Sequence, residues 1–158
     1  MAESLVSQNA VQVSVEKIYV KDLSLENPGA PQTFRLNEPP QIEIGLRTRA
    51  EQVEPDVYEC VMTITVTATA GERTVFLVEV AQAGVFTVHG ASPEQLQPIL
   101  AMHCPAMLFP YARQAVAIST MNAGYPPVQL QPINFEALYA QQLAQGAGAP
   151  ASAPAPAA

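Results

Sequence analysis

Apolar positions along this chain change period once. From Val11 to His89 they recur every second residue, and from Ser92 onward they recur at helical spacing. Val11, Val13 and Val15 open a first strand. The phase then slips, because Ile18 and Val20 continue the series on even positions, so a β-bulge near Glu16–Lys17 is needed to keep one face apolar. Glu26-Asn-Pro-Gly-Ala-Pro31 is turn chemistry. A second strand follows over about Gln41–Ala50, with Ile42, Ile44 and Leu46 on one face and Glu43, Arg47 and Arg49 on the other, and Glu54-Pro-Asp56 turns the chain. The stretch Tyr58–Thr69 alternates most cleanly. Its even positions are Tyr58, Cys60, Met62, Ile64, Val66 and Ala68, whereas Thr63, Thr65, Thr67 and Thr69 occupy odd ones. Threonine suits a pleated surface facing water, which predicts an antiparallel sheet with one wet face. Ala70-Gly71-Glu72 then makes a hairpin into a fourth strand, about Arg73–His89. There Phe76, Val78 and Val80 face the core and Leu77 and Glu79 the wet side, with Gly84 read as a bend and Gly90 as an end.

The helical part starts with a capping box, Ser92-Pro-Glu-Gln95, in which proline occupies the first helical position. Its pattern runs to about Asn122, where Gly124 and Pro126-Pro127 stop it. Pro105 and Pro110 fall inside and predict kinks, each costing about 3 kcal/mol if unrelieved. An extended segment, Tyr125–Ile133, leads to a last helix capped by Asn134 and ending near Leu143. Residues 1–9 read as a loose arm. Residues 146–158 are Gly, Ala, Pro and Ser only, so they read as a flexible tail that cannot bury enough to offset its ordering entropy.

Composition narrows the function classes. Of the 158 residues 49% are apolar and only 13% charged, and so few charges predict that subunit interfaces remove further surface from water. The run Cys104–Arg113 carries one charge and needs cover, yet it is too short to span a membrane. A net charge of −7 without a Lys/Arg cluster argues against nucleic-acid or anionic-lipid partners and suits a basic protein partner, although solubility alone accounts for it equally. Cys60 and Cys104 lack CxxC spacing and read as buried reduced thiols, and the N-terminus has no secretory pattern, so the expected compartment is the cytoplasm. His89 and His103 have no acidic partner at an orienting spacing, and the ligands for a metal site or a phosphate loop are missing from the pattern. No catalytic residue, metal or cofactor is expected. Asp22, Glu26 and Glu79 around Leu77 read either as a solvated sheet face or as a protein-docking site. Phe34, Phe109, Tyr111, Tyr125, Leu138 and Tyr139, set among prolines, read either as core or as walls of a peptide groove.

Four motifs resemble one family. Ile18-Tyr-Val-Lys-Asp-Leu-Ser-Leu-Glu-Asn-Pro28, Tyr58-Glu-Cys60 through Thr63-Ile-Thr-Val-Thr-Ala68, Cys104-Pro-Ala-Met-Leu-Phe-Pro-Tyr-Ala-Arg113 and Pro132-Ile-Asn-Phe-Glu-Ala-Leu138 are similar to the bacterial protein-export chaperone SecB, over about residues 10–144 and in the same order. The resemblance implies an α+β fold, with a four-stranded antiparallel sheet packed against a long kinked helix and a shorter C-terminal helix, filling residues 10–145. It also implies a homotetramer built as a dimer of dimers. The implied activity is that of a cytosolic holdase without ATPase activity, which keeps preproteins unfolded and passes them to the translocation motor SecA. Carried onto this sequence, the SecA-docking set is Asp22, Glu26, Leu77 and Glu79. The client-groove set is Phe34, Tyr125, Leu138 and Tyr139. The zinc of that docking belongs to SecA's tail, so this chain need hold none. Two departures stand out. Glu38 occupies a place where the family often has an aromatic, and the Ala/Pro tail replaces a more polar one.

Overall fold

The computed structural model describes residues 10–146, so the arm expected at 1–9, and the tail expected at 146–158 apart from Gly146, lie outside the described residues. Four strands come first: β1 (Gln12–Glu26), β2 (Gln41–Glu54), β3 (Val57–Ala70) and β4 (Arg73–His89). Then come α1 (Pro93–Pro98), a π-turn (Ile99–His103), α2 (Cys104–Asn122) and α3 (Phe135–Ala144). The strands form one antiparallel sheet in the order β1-β4-β3-β2, so residues 27–40 must cross the end of the sheet to reach its far edge. This is the α+β architecture expected from the sequence. No helix among the described residues is long and apolar enough to cross a membrane.

Register assigns every side chain to a face. Ile44, Leu46, Met62, Ile64, Val66, Phe76, Val78 and Val80 make the inner face, and α2 covers it with Leu108, Ala112 and Val116. β1 holds its phase with two bulges: one at Glu16, as the pattern requires, and one at Lys21, where the phase slips again from Val20 to Leu23. The second bulge is stapled by buried Gln82, whose Nε2 donates to the Tyr19 carbonyl at 3.0 Å. The outer face is wetter but not uniformly so. Val61 and Thr63 are buried there, against expectation. The Tyr19 side chain crosses β4 to reach Glu59, and the Arg49 stem approaches from the other edge, so both shield the middle of the sheet.

The helical region also departs from its pattern in two places. Pro105 is relieved by the π-turn just before it, where the Cys104 N–H reaches back to the Ile99 carbonyl and makes room for the ring. Pro110 interrupts nothing: it and Ala106 are both exposed, so the carbonyl that loses its donor can face water. Gly84 is likewise no bend, because β4 runs straight through it. A Cβ at Gly84 would lie 2.8 Å from the Phe86 ring and 3.0 Å from Leu108, so the glycine lets α2 seat closely on the sheet. At the far end of α2, buried Thr120 accepts a bond from the Val128 N–H at 2.9 Å, which anchors the proline-bounded segment to the helix.

Candidate functional site

Two surfaces at one end of the sheet gather the expected site residues. The first is on the outer face. Glu26 pairs with Leu77, Ser24 with Glu79 and Asp22 with Ala81, so the alternation of β1 and β4 places all four expected docking residues on one side. Leu77 is half-buried, while Asp22 and Glu26 are exposed. On the next strands Leu77 is followed by Thr67 and then Glu43, which puts an acidic side chain at each end of that row. The sequence pattern put Glu43 on this face but gave no reason to group it with Leu77. Glu79 accepts from Thr65 Oγ1 at 3.2 Å and lies 3.9 Å from Arg47 Nη2.

Farther along the same face the charges neutralise one another. Glu59, 14% exposed, accepts from the Tyr19 hydroxyl and from Lys21 Nζ at 2.7 Å, with Arg49 at 3.9 Å. The Lys21 bond first, then the Tyr19 bond, hold the Glu59 carboxyl below its usual range. Burial first, then the bond to Glu59, push Tyr19 up to about 12. A lowered carboxylate stabilises the fold above its ordinary value of 4.5 and loses that contribution as pH falls through the lowered one. The raised tyrosine contributes below its ordinary 10.0 and loses it as pH rises toward about 12. Glu59→Gln should therefore flatten the fall of the thermal midpoint below pH 4.5. A variant whose acid limb matches the wild type would contradict this assignment.

The second surface is a groove of about 400 Å³ on the inner side, walled by Pro39, Ile42, Phe76, Tyr125, Pro127 and Val128. Tyr125 is its pivot, with its ring centroid 5.1 Å from Phe34 and 5.0 Å from Phe76. Its hydroxyl donates to Asn27 Oδ1 at 3.2 Å, so the 2.5 Å contact with Thr33 is one in which threonine donates. Asn27 Nδ2 in turn donates to the Ala123 carbonyl at 2.8 Å. The crossover loop is thus tied to the end of α2 around an aromatic wall. Gly124, at φ +95°, allows the Phe34 ring to pass where a Cβ would be 2.8 Å away. Glu38 does not line the groove; Pro39 and Pro40 form that edge.

The structure therefore brings Phe34 and Tyr125 together and places Leu138 and Tyr139 elsewhere. Both lie half-buried on α3, which packs against the π-turn, and Leu138 packs against the main core. Another apolar hollow of about 510 Å³ opens near there between Val13, Met102, Ile133 and Phe135, but neither residue lines it. The groove and the acidic patch are back to back: Phe76 and Leu77 are consecutive on β4, as are Ile42 and Glu43 on β2.

The residues screened for chemistry have other roles. His89 does have an acidic partner, against the sequence reading, because the β3–β4 register carries it to Asp56 at 3.0 Å. Both side chains are more than half exposed, and Asp56 also accepts the Val88 N–H through its carbonyl, so the pair closes a turn. Cys60 and Cys104 are free and buried, as expected, and are also neighbours. Hydrogen bonding to Cys104 and burial push the Cys60 thiol far up, which keeps it protonated. Among the described residues, no group of three or more His, Cys, Asp or Glu side chains could hold a metal ion.

Comparison with known proteins gives consistent findings. The family model described as preprotein translocase subunit SecB matches residues 6–146. The protein-export protein SecB of Dechloromonas aromatica is 54% identical over 140 residues, which is 89% of this chain and 92% of that protein. The protein of the same name from Azoarcus sp. is 53% identical over 85% of this chain and 90% of its own length. Among solved structures, a Mycobacterium tuberculosis SecB-like chaperone in complex with a ChAD peptide from an antitoxin superposes with a TM-score of 0.65. It is 16% identical and covers 77% of this chain and 90% of that one, a likeness of fold.

Proposed function

The chain belongs to the SecB family of preprotein-export chaperones, which are not enzymes, and from that membership we propose how this member works. It is an ATP-independent holdase of the cytoplasm that captures unfolded preproteins in its apolar grooves and delivers them to SecA. The observation that carries this reading is the Tyr125 groove, whose aromatic wall is held by hydrogen bonds from the crossover loop and so is ready before a client arrives. Apolar contact is non-directional, so such a wall accepts many sequences. Phe34 and Tyr125 are the principal client contacts, and Leu138 and Tyr139 on α3 extend the binding surface beyond this groove.

SecA docks on the opposite face, where Asp22, Glu26 and Glu79 surround Leu77. An apolar anchor ringed by like charges suits a basic segment that carries an apolar side chain. Because the two surfaces use opposite faces of one sheet end, docking leaves the groove free and a client can be held while SecA is engaged.

The working form is a homotetramer, a dimer of dimers, and three features support it. α2 covers β4 and β3, leaving Val20, Leu23 and Leu25 of β1's inner face exposed. The outward side of α2 adds Tyr111, Ile118 and Met121, an apolar stripe that water does not favour. Arg113, the one charge on that helix, keeps a buried Nε with no acceptor among the described residues. Several grooves on one assembly then hold a client with avidity.

Without nucleotide, the purified protein should suppress aggregation of a chemically unfolded preprotein at about one tetramer per client. No suppression, or suppression only with ATP, would refute the holdase reading.

A further inference from the structure

The acidic patch has a cation at its side. Arg47 stands on β2, across from Thr63, and its guanidinium reaches diagonally to Glu79 on β4 at 3.9 Å. The path is open because the outer row through Glu79 runs Ser24, Glu79, Thr65 and Gly45, and Gly45 places no side chain over the sheet. Thr65 holds the other Glu79 oxygen at 3.2 Å, so the carboxylate is fixed between a hydroxyl and a cation. The remaining acids of the patch have no such neighbour: no ion pair of Asp22, Glu26 or Glu43 is found among the described residues.

We infer that Arg47 is a specificity-determining residue of the docking surface, a resident cation that occupies Glu79 in the free protein and must yield to the cation of a basic partner segment. The inference rests on the proposed docking of SecA at this patch. At 66% exposure for Arg47 and 39% for Glu79, the pair adds little to stability, so its effect falls on binding. Two consequences follow from charge alone. Arg47 weakens docking of a positive segment, and it repels that segment from the β2 side, confining it to the strip along β1 and β4 where Glu26, Leu77 and Asp22 lie. Glu43, at the far end of the Leu77 row on β2, lies outside that strip.

The test is the affinity of the full-length protein for SecA, measured by titration at low and at high salt. Arg47→Gln should bind about threefold tighter at low ionic strength and Arg47→Glu tighter still, and both gains should shrink as salt screens them. In a Glu79→Gln background, the gain from Arg47→Gln should fall well below threefold, because the partner it releases is gone. Client capture should be unchanged in all of these variants. Unchanged or weaker SecA binding by Arg47→Gln at low salt, with the wild type binding normally, overturns the inference and leaves the docking site standing. If the wild type does not bind SecA, or binds it undiminished after Glu79→Lys, the docking reading fails and takes this inference with it.

Discussion

Gly84→Val is expected to destabilise the protein by about 3 kcal/mol and to lower its thermal midpoint by roughly 6–12 °C. The position lies where Leu108 of α2 seats on the sheet. The first carbon of any side chain would fall 2.8 Å from one atom of the Phe86 ring and 3.0 Å from Leu108, both of them fully buried. Neither neighbour can withdraw into solvent, so the helix must lift or the ring must leave its rotamer, and a close-packed interior resists both. Valine's preference for strands opposes this, but that whole scale spans only about 1 kcal/mol. Gly84→Ala should cost less, because it adds one carbon at the same place. The comparison needs equal protein concentrations, since assembly shifts the apparent midpoint. A Gly84→Val protein that melts with the wild type would contradict the packing described for α2.

Glu79→Lys is expected to reduce SecA affinity at least about tenfold while leaving client capture intact. The substitution replaces a carboxylate one register from Leu77 with a cation, and it places that cation beside Arg47. A basic partner segment then meets two positive charges where it had met a carboxylate paired with one cation. The fold should tolerate the change, because Glu79 is 39% exposed and its bonds to Thr65 and Arg47 lie at the surface. Titration with SecA and, separately, with an unfolded preprotein reads the two activities apart. Loss of preprotein capture with SecA binding preserved would invert the assignment of the two faces.

How much of this was legible in the sequence depended on distance along the chain. The alternation in β3 showed directly which residues face the core, and the slip between Val15 and Ile18 located a real bulge at Glu16. The bulge at Lys21 had the same signature, a change from even Val20 to odd Leu23, and could have been read the same way. Period two put Leu77 and Glu79 on one face, but Asp22 and Glu26 join them only through the bulge at Lys21, so it was the family resemblance that grouped the four. Period two could not show that Arg47 reaches Glu79, because that depends on the strand order β1-β4-β3-β2 and on Gly45 leaving the path open. The Tyr125 bonds to Thr33 and Asn27 join segments more than 90 residues apart, and the His89–Asp56 pair follows from register, so local pattern showed none of them. Prolines mark where a helix is in difficulty but not how it is relieved. A π-turn absorbed Pro105, and solvent exposure absorbed Pro110.

On the proposed function, two opposite faces of one sheet end serve two partners at once. The mass of the complex formed when the protein is mixed with SecA and an unfolded preprotein decides whether they do. The prediction is a single species containing a tetramer of this chain, SecA and the preprotein, reduced to tetramer plus preprotein by Glu79→Lys. Mutual exclusion, in which SecA and preprotein each bind but never together, would contradict the claim.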